Sequence, residues 1–123
     1  MPDWNDKIFL VVEDTASNFQ LISTYLQHTN VKLISVIDGY SAVAEVKANP
    51  SISLVLMDIR LPELNGLKAT ALIKQLRPEL KVIAQTAYAM ESDRLMCMEA
   101  GCDAFIAKPY RRLDLVQIIE DVL

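Results

Sequence analysis

The run Ile52-Ser-Leu-Val-Leu-Met-Asp58 is apolar almost throughout and ends on a carboxylate. A second run, Ile8-Phe-Leu-Val-Val-Glu13-Asp14, has the same character and ends on two. Continuous apolar runs of this length mark parallel strands covered on both faces, where alternation with polar residues is not needed. Three carboxylates are thus gathered at the C-terminal ends of two buried strands. Such acids repel one another and lose solvation, so a fold keeps them together only with a cation or a function to offset that.

Working outward, apolar runs alternate with helical periods five times. The strand segments are Ile8–Val12, Leu33–Ile37, Leu54–Met57, Val82–Gln85 and Ala104–Ala107. Between them, Phe19, Ile22 and Leu26 mark a first helix, and Ala42, Val43 and Val46 a second that stops near Asn49-Pro50. Leu67, Ala71 and Ile73 mark a third ending before Pro78, and Leu95 and Met98 a fourth closed by Gly101. Leu115, Ile118, Ile119 and Val122 give the fifth the clearest i, i+3, i+4, i+7 stripe. Five βα units predict an α/β, flavodoxin-like doubly wound domain over 1–123, with right-handed crossovers and strand order 2-1-3-4-5. Its crevice opens at the carboxyl ends of strands 1 and 3, where Glu13-Asp14 and Asp58 meet. The chain reads as a single domain without an output module.

The chain has 123 residues, 52% of them hydrophobic and 23% charged, which fits a globular domain with its own core. Twelve basic against 16 acidic residues leave a formal charge of −4, with no basic stripe for direct nucleic acid binding. No apolar run reaches the ~18 residues of a membrane helix, and the N-terminus lacks a signal pattern. The expectation is a cytoplasmic protein without membrane contact. Cys97 and Cys102 lack the companion ligands of a metal site and read as buried, reduced thiols.

Two further strand ends complete the chemistry. Val82-Ile-Ala-Gln-Thr86 ends on a hydroxyl and Phe105-Ile-Ala-Lys108 on an ammonium, just before Pro109. Asp58 is the candidate nucleophile, since a carboxylate can attack phosphorus and hold the group as an acyl phosphate. Mg²⁺, or Mn²⁺, matches the hard oxygen donors: Asp14 and Asp58 directly, Glu13 through a water, and the backbone carbonyl of Arg60. Lys108 supplies a point charge to phosphoryl oxygen, Thr86 a hydroxyl donor, and Ala87 leaves room for the incoming group. The competing reading of Asp14 is that it caps the first helix. His28 has no acidic neighbour and reads as a solvated residue at a helix end. Met90, Met96 and Met98 fit either a partner surface or ordinary packing.

Glu13-Asp14, Asp58 followed by Leu61-Pro62 and Asn65-Gly66, Thr86-Ala87 and Lys108-Pro109 resemble the receiver domain of two-component response regulators. The resemblance covers the whole chain, and Val12-Glu13-Asp14 with Asn18 and Gln85-Thr86-Ala87-Tyr88-Ala89 is most similar to receivers of hybrid sensor histidine kinases. It implies that Asp58 accepts a phosphoryl group from a histidine kinase or histidine phosphotransfer protein. It further implies that Thr86 and an aromatic, here Phe105, shift together and alter the helix 4–strand 5–helix 5 face toward an output domain or downstream protein. Arg60 and Tyr88, two residues beyond Asp58 and Thr86, border the path of hydrolytic water and are expected to lengthen the phosphate lifetime. An aspartyl-phosphate phosphatase needs a second Asp at position 60, where Arg60 stands. A flavin carrier would set Glu13-Asp14 against the flavin phosphate. The expectation is a regulatory phosphoacceptor rather than a turnover enzyme.

Overall fold

Strands β1 (Ile8–Val12), β2 (Lys32–Val36), β3 (Ile52–Asp58), β4 (Lys81–Thr86) and β5 (Ala104–Ala107) form one parallel sheet in the order β2-β1-β3-β4-β5. A computed structural model gives this architecture and describes residues 2–60, 64–87 and 91–123. Helices α1 (Ala16–Leu26), α2 (Gly39–Ala48), α3 (Gly66–Leu76), α4 (Glu91–Ala100) and α5 (Arg112–Val122) alternate with the strands. The order reverses at β1, so the chain ends of β1 and β3 splay apart and leave a crevice between them. The expected fold class and strand order are those observed.

Side chains of each strand alternate between two cores. Leu10, Val55, Met57, Val82 and Ala84 face α2, α3 and α4, with Val46 and Ile73 packed onto them. Phe9, Val11, Leu54, Leu56 and Ile83 face the other way, against Ile22 of α1 and Leu115 and Ile119 of α5. Trp4 closes the bottom of this second layer, its ring 5.3 Å from that of Phe9. Each of the larger side chains contributes about 1.5–3 kcal/mol on burial, the reserve against which costly polar groups at the strand ends are held. Strand edges differ slightly from the apolar runs: β3 starts two residues early at Ile52, and β2 is shifted by one.

Local signals start the helices. Asp38 accepts the Ser41 N–H at 2.7 Å to cap α2, and Asn65 accepts the Lys68 N–H at 3.0 Å to cap α3. Gly101, with φ +106°, follows α4 in a conformation that suits glycine. The Lys108–Pro109 peptide is cis. Cys97 and Cys102 are buried free thiols, and burial pushes Cys102 up to about 12.

Helix α4 departs from its sequence reading. Leu95 and Met98 are 51% and 48% exposed, whereas Asp93 and Cys97 face inward. Asp93 and Cys97 are four apart on one stripe, and Leu95 lies about 200° around the helix from Asp93. Apolar spacing alone pointed to the wrong side, because the inward stripe of α4 carries Asp93 and Cys97 rather than its larger apolar residues. Met96 is exposed as well, favouring the partner-surface reading of that pair of methionines; Met90 lies outside the described residues. His28 is exposed in the short 3-10 turn Gln27–Thr29, as its reading required.

Candidate functional site

The two acid-bearing strands end side by side, Val12 opposite Met57, and this register brings Glu13, Asp14 and Asp58 together. One carboxylate oxygen from each lies within 4.8 Å of the others. Glu13 and Asp58 are 2% and 6% exposed, while Asp14 faces solvent at the rim. Asp14 does not cap α1: Thr15 is the N-cap residue, and its hydroxyl donates to Asp14 Oδ1 at 3.4 Å. The helix-capping reading of that acid therefore fails.

Lys108 enters from β5. Its backbone N–H donates to the Thr86 carbonyl at 2.7 Å, which prolongs the sheet by one residue and aims the side chain at the acids. Its Nζ donates to Glu13 Oε1 at 3.0 Å and to Asp58 Oδ2 at 3.5 Å. Asp58 Oδ1 accepts the Arg60 N–H at 2.9 Å, fixing the carboxylate's rotation. Behind it, a Cβ on Gly66 would collide with the Asp58 carbonyl oxygen and sit 2.6 Å from Ile59 Cα. Only a glycine lets α3 start this close to the end of β3.

Thr86 is fully buried at the end of β4, and Ala87 is exposed in the bend that follows. Phe105 is half-buried against the α2–α4 core, on the opposite side of the sheet from its neighbour in the other layer, Ile106. Arg60 is exposed at the crevice mouth. Tyr88 and the Leu61-Pro62 pair lie outside the described residues. Sequence reading passed over Gln85, Gly66 as a contact and Tyr110, whose signals were an amide inside an apolar run and an aromatic directly after Pro109.

The electrostatics divide the two buried acids. Burial, together with its hydrogen bond to Asp58, pushes the Glu13 carboxyl up to about 7, with Lys108 opposing. Burial acts to raise Asp58 as well, but hydrogen bonds from Glu13 and the Arg60 N–H, with Lys108, hold it below the usual carboxylate range. Below about pH 7 the proton shared by this pair therefore sits on Glu13, and Asp58 carries the charge. Glu13 Oε2 is buried without a hydrogen-bond partner among the described residues. Acid oxygens of this number, one of them unsatisfied, fit a hard divalent cation.

A pH dependence follows from the raised group. Between 4.5 and about 7 the folded state holds a proton on Glu13 that the unfolded chain releases. Stability from this group is complete below 4.5 and declines as pH rises toward 7. The contribution of Asp58 is lost only on acidification, outside this window. Melting temperatures in EDTA should fall between pH 5 and pH 7.5 by the equivalent of about 2 kcal/mol. Glu13→Gln should flatten the slope, and millimolar Mg²⁺ should raise the high-pH end. An unchanged slope in Glu13→Gln would count against this assignment of the proton.

The profile of the response regulator receiver domain matches residues 9–120. The chain is 32% identical over 118 residues to hybrid signal transduction histidine kinase L of Dictyostelium discoideum, covering 90% of this chain and 7% of that protein. It is 32% identical over 120 residues to the polar-differentiation response regulator DivK of Brucella anthropi, covering 95% and 96%. Thus the chain spans about 7–13% of the sensor and hybrid kinases it matches and nearly all of DivK. Among solved structures, the receiver domain of a sensor histidine kinase from Pseudomonas aeruginosa superposes with a TM-score of 0.86 at 33% identity, over 94% of this chain and 95% of that one. That structure has a magnesium ion coordinated in its active site cleft. Acid crevice, topology and relatives agree: the chain belongs to the response regulator receiver domain family.

Proposed function

We propose that Asp58 is the phosphoacceptor of a two-component phosphorelay, taking its phosphoryl group from a phosphohistidine on a histidine kinase or histidine phosphotransfer protein. The observation that carries this reading is the convergence of Glu13, Asp14, Asp58 and Lys108 on one crevice at the strand ends. In the step, an Asp58 carboxylate oxygen bonds to phosphorus as the N–P bond breaks, and the imidazole leaves with the bonding electron pair. The Arg60 N–H holds the carboxylate in one rotation for in-line attack. Lys108 meets the phosphoryl charge with its ammonium, and Thr86 offers its hydroxyl to a phosphoryl oxygen.

Asp14 and Asp58 would be the direct protein ligands for Mg²⁺, Glu13 would act through a water and the Arg60 carbonyl would complete the set; Mn²⁺ would suit the same donors. When bound, the cation neutralises the negative charge that otherwise keeps a phosphoryl group from a carboxylate. Its presence in the Pseudomonas aeruginosa receiver cleft supports the assignment. Intact mass after incubation with acetyl phosphate tests the function. A gain of one phosphoryl group with Mg²⁺, abolished by EDTA, is expected; equal uptake in EDTA would overturn the metal's role.

The domain then acts as a regulatory switch rather than a turnover enzyme. Thr86 and Phe105 carry the change to the α4–β5–α5 face, where exposed Leu95, Met96 and Met98 offer apolar surface to an output domain or downstream protein. The −4 charge supports a protein partner over nucleic acid, and no helix is long and apolar enough to cross a membrane. Cytoplasmic signalling in a bacterium is the setting this reading favours, although eukaryotic relatives share the architecture.

Arg60 and Tyr88 are assigned to slow hydrolysis by crowding the water's approach to phosphorus. The Arg60→Ala, Tyr88→Ala double variant should lose phosphate about fivefold faster, the equivalent of about 1 kcal/mol in the barrier. Decay of phospho-Asp58 followed by mass is the measurement. An unchanged half-life would remove both residues from this role.

A further inference from the structure

The three residues Lys108-Pro109-Tyr110 leave β5 over a pocket of about 120 Å³ between them and α1, bordered by Ile22 and Gln85. Tyr110 packs partly against the α1–α5 core, but the pocket leaves the segment incompletely supported, and polar tethers fix the rest of its position. Tyr110 donates its phenol to Gln85 Oε1 at 2.6 Å, and Tyr25 of α1 donates its own to the Tyr110 carbonyl at 3.1 Å. The two tyrosine rings lie 6.2 Å apart in a tilted contact. Gln85 is fully buried and pairs with Asp58 across the β3–β4 ladder, so the tether begins beside the phosphoacceptor.

From these contacts we infer that Tyr110 and Gln85 are positioning residues, a hydrogen-bonded clamp that sets where the Lys108 ammonium sits over Asp58. The inference rests on Lys108 as the phosphoryl-binding cation. Lys108 is anchored at its own N–H by the Thr86 carbonyl, but its exit direction depends on what holds the chain two residues later. Tyr110 provides that hold through a side chain reaching to Gln85 in β4, backed by the Tyr25 hydroxyl on its carbonyl. Burial pushes the Tyr110 phenol up, so it stays protonated and remains the donor. Gln85 has its other end occupied by nothing: Nε2 is buried without a partner among the described residues. A leucine or methionine at 85 would satisfy packing better, and the retained amide is explained by the acceptor it presents to Tyr110.

Fluoroberyllate binding at saturating Mg²⁺ reads the ammonium's placement, and Mg²⁺ binding alone reads only the acids. Tyr110→Phe should weaken fluoroberyllate binding about three- to tenfold, the value of one hydrogen bond, with Mg²⁺ affinity unchanged. Lys108→Met should weaken it more, and Tyr110→Phe added to Lys108→Met should cost nothing further. The Gln85→Leu, Tyr110→Phe pair should lose no more than Tyr110→Phe alone. Should Tyr110→Phe fold poorly, Tyr25→Phe loosens the same segment from the other side and should show the same dependence on Lys108. Equal losses with and without Lys108, or no loss at all, would overturn the clamp. Unaltered binding in Lys108→Met would instead overturn Lys108 as the phosphoryl contact, and the clamp's purpose with it.

Discussion

Asp58→Asn should abolish phosphate uptake, slowing it by a factor of at least about 10³, because a carboxamide lacks the charge and lone-pair basicity to attack phosphorus. The fold should survive. Asparagine has the same shape, and its carbonyl oxygen can still accept the Arg60 N–H that now reaches Asp58 Oδ1 at 2.9 Å. The metal site should suffer separately, with Mg²⁺ affinity down about tenfold or more through loss of a charged ligand. Removing one of two neighbouring buried carboxylates should also let Glu13 ionise more readily, since its hydrogen bond to Asp58 contributes to its raised value. Intact mass with acetyl phosphate, a Mg²⁺ titration and a melting curve read the three effects apart. A folded Asp58→Asn protein that gains phosphate at the wild-type rate would place the acceptor elsewhere.

Gly66→Ala should cost about 3 kcal/mol of stability, a drop of roughly 10 °C in melting temperature for a chain of this size. The argument is steric and local. The added methyl meets the Asp58 carbonyl oxygen and the Ile59 backbone rather than the tip of a movable side chain. Neither can retreat cheaply, since the Ile59 N–H is tied to the Gln85 carbonyl at 3.1 Å. The end of β3 must shift, carrying Asp58 away from Lys108, so slower phosphorylation should accompany the loss of stability. A variant that melts like wild type would show that the Asp58–Ile59 backbone yields more easily than its contacts imply.

The strand ends were the most legible part of this chain. An apolar run that stops on a charged residue records two facts at once, burial along the strand and a crevice at its end, and Asp58, Glu13 and Lys108 each do so. Helix α4 was less legible because its inward stripe carries an acid and a thiol while its larger apolar residues face outward; Leu95 and Met98 look like a core stripe but form surface. The division of charge between Glu13 and Asp58 could not be read at all in one dimension, since it depends on which of them the Arg60 N–H and Lys108 favour. Tyr110 was missed for a related reason. Its partner lies 25 positions away on β4, and nothing about a tyrosine after a proline announces an acceptor there.

The hydrogen bond from Lys108 to Glu13 joins residues 95 positions apart. Closing so long a loop is entropically expensive, so that contact forms only once β1, β3 and β5 have all taken their places. A nascent or partly unravelled chain therefore has acids without their counter-charge and is a poorer target for its phosphodonor. Competence to receive the signal becomes a certificate of complete folding, issued by the same lysine that would greet the phosphate.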